Sequence, residues 1–142
     1  MNSVKSIFYT GVGIVASTLS MLFGGIDMAL TSLMIFMAID YVTGLVVAGV
    51  FHKSGKSRSG SLDSRAGWKG ICKKGVTLLI VLVAARLDGI IGSTFIRDGV
   101  IIAYTVNEIL SIIENAGLMG IPIPAPIRNA VEALKSKGGS AL

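Results

Sequence analysis

Three charged residues interrupt long apolar stretches of the 142-residue chain. Asp40, Arg86 and Glu108 each lie near the middle of such a stretch. An ionised side chain at the centre of a membrane helix costs roughly 2.5–3.5 kcal/mol. These three residues must therefore pair, change protonation or face water. An ion pair between Asp40 and Arg86 is the simplest solution, because antiparallel neighbouring helices would place the two at one depth.

A stripe of polar residues runs along the last apolar stretch. On a helix these residues share one face, and Ile109, Ile112 and Ile113 lie on the other. Such a stripe faces either the interior of a helix bundle or water, so it could be buried in one subunit or line a hole in an assembly. The candidates for embedded or hole-lining polar residues in the whole chain are Asp40, Arg86, Asp88, Asn107, Glu108, Ser111, Glu114 and Asn115, with Tyr104 on the same stripe.

Small side chains recur every three or four residues in the first apolar stretch and beyond Asp40 in the second. Lipid gives helices no hydrophobic reason to associate, so close approach over small residues holds membrane helices together. The first stripe could pack within one subunit or between subunits. The helix-packing candidates are Gly13, Ser17, Ser20, Gly24, Gly44 and Ala48.

The composition excludes several classes of protein. Hydrophobic residues make up 52% and charged residues 15% of the chain, against about 25% charged in an average soluble domain. These values argue against a soluble enzyme and a disordered tail. Cys72 is the single cysteine and His52 the single histidine, so neither an intrachain disulfide nor a histidine-based metal site is expected. We expect no catalytic residue, no cofactor and no metal.

The segment from His52 to Lys74 is strongly basic and separates two pairs of apolar stretches. It holds seven cations and the single acid Asp63, which predicts a cytoplasmic location and contact with anionic lipid rather than nucleic acid. Cations four residues apart, with Trp68 between them, predict a short helix lying in the interface. The lipid-facing candidates are Arg65, Trp68, Lys69, Lys73 and Lys74.

Together these patterns predict an all-α, oligomer-forming membrane protein with four transmembrane helices in two hairpins, although three remain possible. Both termini are expected in the cytoplasm. Residues 1–51 would form the first hairpin, 52–74 the basic loop, 75–120 the second hairpin with a turn at Arg97–Gly99, and 121–142 a proline-rich exit with a short amphipathic tail.

Several sequence blocks in order resemble the toxin-secretion and phage-lysis holin family. The blocks are DYVTG from Asp40, SRAGWKGICKK from Ser64, YTVNEILSIIEN from Tyr104 and GIPIP from Gly120. Asp88 and Arg97 lie between them, and the resemblance covers about two thirds of the chain. Ile109 departs from the pattern, because many relatives have glycine at that position.

The resemblance implies a holin of the bacterial cytoplasmic membrane, which oligomerises into lesions that release an endolysin or a toxin. The implied partners are membrane lipids, further copies of the chain, an antiholin and the released endolysin or toxin. Two alternatives stay open. One is an antiholin that packs but never opens, and the other is a small ion-coupled transporter or channel that uses Asp40, Arg86 and Glu108, which the short, repeat-free chain disfavours.

Overall fold

The structure, a computed structural model, describes residues 2–139, and this part of the chain is helical with no strand. An all-α fold is therefore confirmed. Two helices, α1 and α2, are long and apolar enough to cross a membrane. The helices are α1 (Asn2–Leu22), α2 (Met28–Gly49), α3 (Ser64–Ile91), α4 (Phe95–Leu118) and α5 (Ala125–Gly139).

The second half of the predicted basic loop is helical. Asp63 accepts a hydrogen bond from the amide of Arg65 and so caps α3, which continues without a break for 28 residues to Ile91. The interfacial helix predicted around Trp68 is thus the first part of α3, and the loop between α2 and α3 is only residues 50–63. We call the end of the bundle that carries this loop the loop end.

The second turn also lies earlier than predicted. Gly92, with φ of 70°, ends α3 in the left-handed region that glycine adopts without strain. Arg97 and Asp98, which the sequence placed in a turn, lie in the first turn of α4. An acidic residue is favourable there because the free amides of a helix start carry a partial positive charge. This turn and the turn before α2 mark the other end of the bundle, the turn end.

The core is a small apolar cluster between α2, α3 and α4. Leu33, Val81 and Ile101 are fully buried, and Leu30 and Met37 pack beside them. Many other large apolar side chains on these helices are exposed. A bundle with so little interior and so much apolar surface suits lipid as its surroundings.

The first and last helices differ in how they meet this bundle. α1 contributes no buried residue and is exposed along almost its whole length. In contrast, α5 folds back along α4 after the turn at Gly120 and buries Val131. A Cβ atom built on Gly138 would lie 3.2 Å from Ile102, so the end of α5 reaches the first half of α4. The amphipathic tail therefore packs on the bundle.

Candidate functional site

Three charged side chains from three helices meet inside the bundle. Lys74 of α3 donates to Asp40 of α2, at 2.7 Å between Nζ and Oδ2, and to Glu108 of α4, at 2.5 Å between Nζ and Oε2. Both carboxylates are buried, and the lysine side chain is 19% exposed. At 1.5 Å per residue, each member lies about 15 Å from the loop end of its helix. We call these residues the charged triad.

In the triad, one ammonium group pairs with two carboxylates. The triad therefore carries one net negative charge when all three groups are ionised. Removing the lysine would leave two buried carboxylates facing each other without a counter-charge, which is strongly unfavourable. Asn115 of α4 adds a hydrogen bond of 3.2 Å to the second oxygen of Asp40 and one of 2.9 Å to Thr43. Between residues 2 and 139, no buried side-chain nitrogen or oxygen lacks a hydrogen-bond partner.

The expected pair of Asp40 and Arg86 does not form, and Lys74 takes the arginine's place. Arg86 is exposed on α3. The reason is the early start of α3 at Ser64, which brings Lys74 to the depth of Asp40 and carries Arg86 about 18 Å further along the helix. Lys74, expected to face lipid in the loop, therefore points into the bundle.

The polar stripe of α4 divides into two rows with different surroundings. Glu108 and Asn115 are buried against α2, whereas Asn107 and Glu114 are exposed and Ser111 is half-buried between them. The exposed row borders two cavities in the loop-end half of the bundle. A cavity of about 280 Å³ reaches Glu114 and one of about 740 Å³ reaches Asn107. Both reach Ser111 and two members of the triad, Asp40 and Lys74.

A second charged cluster fastens the turn end of the bundle. Arg97 at the start of α4 donates to both carboxylate oxygens of Asp27, at 2.9 and 3.1 Å, and Nη1 also lies 3.2 Å from Oδ1 of Asp98. It further donates to the backbone oxygens of Phe23, at 2.6 Å, and Gly25, at 2.8 Å. Asp27 also caps α2 through the amide of Leu30. The hydrogen bond from Arg97 holds the pKa of Asp27 below its ordinary value of 3.8.

Asp88 belongs to this end of the bundle and lies against the start of α4. Its buried carboxylate accepts hydrogen bonds from the amides of Ile96, at 3.1 Å, and Arg97, at 2.8 Å, and from the hydroxyl of Ser93. Thr94, at the N-cap position of α4, makes no side-chain cap. Asp88 therefore satisfies the free amides of α4 from the end of α3, which is a structural role.

The small residues also divide between two roles. Gly44 lies against Asn115, with 3.8 Å to a built Cβ, and Ala48 is buried, so the stripe of α2 packs against α4 within one subunit. Gly24 lies in the turn beside Arg97. Gly13 and Ser17 of α1 are exposed, and a Cβ built on Gly13 meets no described atom within 4 Å beyond its chain neighbours and the local backbone of α1. Ser20 is half-buried, so the exposed part of the α1 stripe is Gly13 and Ser17.

The basic candidates other than Lys74 remain on the surface. Arg65, Trp68, Lys69 and Lys73 are exposed along the first three turns of α3. No group of histidine, cysteine or acidic residues in the described part of the chain could hold a metal ion.

Sequence reasoning missed the pair of Arg97 and Asp27. A signal for it was present, because both residues lie next to turns at the same end of the predicted hairpins and carry opposite charges. Their shared depth at one end of the predicted hairpins would have been enough to place the two residues close together.

Comparison with known proteins identifies a family for the chain. The model of the bacteriophage holin family matches residues 17–136, which is most of the chain. The chain belongs to this holin family. The match begins within α1 and includes the triad, the Arg97 cluster and most of α5. Membership in the holin family suggests a membrane protein that is not an enzyme.

Individual relatives of the holin-family chain come from phage and from bacteria. It is 31% identical over 105 residues to a probable holin of Bacillus phage phi105, covering 73% of this chain and 72% of the relative. A 14.9 kDa uncharacterized protein from the nagH 3' region of Clostridium perfringens is 32% identical over 139 residues, 96% and 99% of the two chains. An uncharacterized protein of Listeria monocytogenes is 36% identical over 83% of this chain and 79% of its own length. No solved structure matches the chain significantly.

Proposed function

We propose that the chain is a holin that oligomerises in the bacterial cytoplasmic membrane and forms lesions through which an endolysin or a toxin is released. Family membership supports the general function. The observation that carries the assembly step is α1, an apolar helix of 21 residues without a buried side chain. A chain that leaves most of an apolar helix exposed has a surface available for a further copy.

The stripe of Gly13, Ser17 and Ser20 gives α1 a face suited to such a contact. Small side chains allow two helix backbones to approach closely, which stabilises helix pairs in lipid. Gly11 and Thr18 lie on the opposite face of the same helix and are equally exposed. The helix therefore contains its own matched control for the assembly proposal.

The proposed topology has four spans with both termini and the loop in the cytoplasm. The packing of α5 on α4 bears on this topology, because it would place the charged residues of α5 beside a spanning helix. Glu132 and Lys135 form an ion pair at 3.1 Å, with side chains 72% and 42% exposed. Charged side chains that contact lipid are energetically unfavourable. We therefore infer that, in the bilayer, α5 separates from α4 by a turn at Pro122 and Pro124 and lies in the cytoplasmic interface.

The lining of the lesion is proposed to come from the exposed polar row of α4. Asn107, Ser111 and Glu114 border the cavities, whereas Glu108 and Asn115 are used inside the subunit. When copies assemble, the exposed row is free to meet water without breaking the triad. A polar wall also favours wetting of the hole.

Timed lysis on expression tests the proposal. Induction of the gene in a bacterium, together with an endolysin, should stop growth abruptly after a delay. The double variant Gly13→Leu with Ser17→Leu should reach normal membrane abundance but delay or abolish lysis, because bulky side chains prevent close helix approach. The double variant Gly11→Leu with Thr18→Leu adds similar bulk on the opposite face and should lyse on time. Equal timing for both variants would contradict assembly through this stripe.

An ion-coupled channel or transporter is the second candidate, and the two cavities that meet at the triad favour it. Such a protein would change ion fluxes without abrupt growth arrest and without releasing endolysin. An antiholin would instead lengthen the delay of a co-expressed holin. One induction experiment, with and without a known holin, separates the three.

A further inference from the structure

A basic groove runs between the loop-end halves of α3 and α4. It corresponds to the cavity of about 740 Å³, and we call it the α3–α4 groove. Lys69 and Lys73 line it from successive turns of α3, Lys56 reaches it from the loop, and Asn107 borders it on α4. Lys74 at its floor is held by Asp40 and Glu108.

The charges of the groove favour an anion. Four lysines and two carboxylates line it, which gives a net charge of +2. The two carboxylates are occupied by Lys74, so the exposed ammonium groups of Lys56, Lys69 and Lys73 remain for a ligand. The side-chain amide of Asn107 adds a neutral hydrogen-bond donor. A phosphate group matches this set of donors.

The face of α3 that carries the lysines continues as an apolar surface. Beyond Lys69 and Lys73 the same face presents Val76, Ile80 and Val83, which are 56%, 42% and 52% exposed. A cationic start followed by about two turns of exposed apolar side chains fits a molecule with a charged head and a hydrocarbon tail. Free phosphate would use only the first part of this surface.

We propose that the α3–α4 groove binds the phosphate headgroup of an anionic phospholipid from the cytoplasmic leaflet, with an acyl chain along Val76, Ile80 and Val83. Basic pockets between membrane helices on the cytoplasmic side bind anionic headgroups in this manner. The inference rests on the proposed membrane topology, in which the loop end faces the cytoplasm. A headgroup site in one groove is more specific than a general attraction between a basic loop and anionic lipid.

Lipid titration of the purified full-length protein tests the groove. In a neutral detergent, phosphatidylglycerol should raise the melting temperature of the protein in a saturable manner, and phosphatidylcholine should not. The variant Lys69→Gln with Lys73→Gln should bind phosphatidylglycerol about 25-fold more weakly, about fivefold for each lysine. The variant Lys53→Gln with Arg58→Gln removes the same charge from the loop outside the groove and should bind normally.

Further arms separate the possible results. Glycerol phosphate at the same concentrations should give no shift, and a shift equal to that of the lipid would show a free-phosphate site and overturn the lipid assignment. Equal weakening in the two double variants would show general surface attraction and overturn the groove. Lys69→Arg with Lys73→Arg should retain binding, which guards against misfolding as the cause of a loss.

The test does not depend on lysis. Normal phosphatidylglycerol binding in a protein that never lyses cells would remove the holin function and keep the groove. Normal lysis by a protein whose melting temperature is unchanged by phosphatidylglycerol would keep the holin function and remove the groove.

Discussion

The guanidinium of Arg97 holds the carboxylate of Asp27 by two hydrogen bonds, although the residues are 70 positions apart. The same side chain binds the backbone oxygens of Phe23 and Gly25. One arginine thus joins the start of α4 to the turn between α1 and α2. Because α1 buries nothing of its own, this corner is an important fixed connection between α1 and the bundle.

Replacement of Arg97 by lysine should destabilise the protein by about 2 kcal/mol, because a single ammonium cannot reproduce the planar fork that reaches four residues at once. The free energy of unfolding in a denaturing detergent titration measures the loss. Arg86→Lys, on the exposed part of α3, is the matched control and should change little. Similar losses in the two variants would contradict the special role of the corner.

Acid should loosen the same corner. The pKa of Asp27 is held below 3.8 by Arg97, so its ionised form stabilises the fold fully above about pH 4. That contribution disappears as the pH falls through the lowered pKa, where the carboxylate becomes protonated. The stability advantage of the natural protein over Asp27→Asn should therefore be constant near neutral pH and shrink below pH 3.8. Melting curves at a series of pH values measure it, and an advantage unchanged at the lowest pH would exclude this account.

Lys74→Gln should be among the most harmful single changes in the bundle, with a loss of about 3 kcal/mol or more, because it leaves two buried carboxylates without their cation. Arg86→Gln removes a cation from the same helix at an exposed position and should stay within about 0.5 kcal/mol of the natural protein. Folded yield and thermal stability in detergent give both values.

Neutralising the whole triad should restore much of this loss. The triple variant Lys74→Met, Asp40→Asn and Glu108→Gln has no uncompensated buried charge and should be more stable than Lys74→Gln alone. If the stability losses of the three single variants simply added up in the triple variant, the three residues would not be energetically coupled.

The two glutamates of α4 should respond differently. Glu108→Leu should lower membrane abundance, because Lys74 loses one of its partners. Glu114→Leu should leave abundance unchanged and delay lysis, because an exposed polar wall becomes apolar and resists wetting. Abundance and lysis time are measured on the same cultures. Normal lysis by Glu114→Leu would argue against a lining role for the exposed row.

The position of α5 can be followed by a pair of cysteines on a Cys72→Ser background. Ile102→Cys and Gly138→Cys lie in contact when α5 is packed on α4. We expect cross-linking in detergent, little in the bilayer, and labelling of Gly138→Cys from the cytoplasmic side only. Efficient cross-linking in intact membranes would reject the inferred movement of α5. Cysteines at Ile102 and Gly13 provide the unlinked control.

The all-helical fold was predictable from the sequence because apolar stretches and turn residues are local signals. The start of α3 was not predicted, since its first turns are basic and hydropathy assigns them to a loop. The capping residue Asp63 followed by Ser64 and Arg65 was the available signal of a helix start. The same misplacement hid the true partner of Asp40.

The polar residues of the candidate site were recognisable by type, but their partners depend on the register of three helices. Asp40 and Glu108 stand out as charges in apolar stretches, yet nothing local distinguishes Lys74 from Lys73. Only the rotation of α3 turns one lysine into the bundle and leaves its neighbour outside. Burial that depends on tertiary packing cannot be taken from spacing within one helix.

The length of chain between Asp27 and Arg97 sets an order of events during synthesis. A ribosome that adds 5–20 residues per second needs roughly 4 to 14 s to add the 70 residues from Met28 to Arg97. During that interval α2 and α3 are synthesised, while Asp27 is already present and Arg97 is not. The corner can close only after α3 has been made, so the final orientation of α1 is a late event in the biogenesis of each subunit.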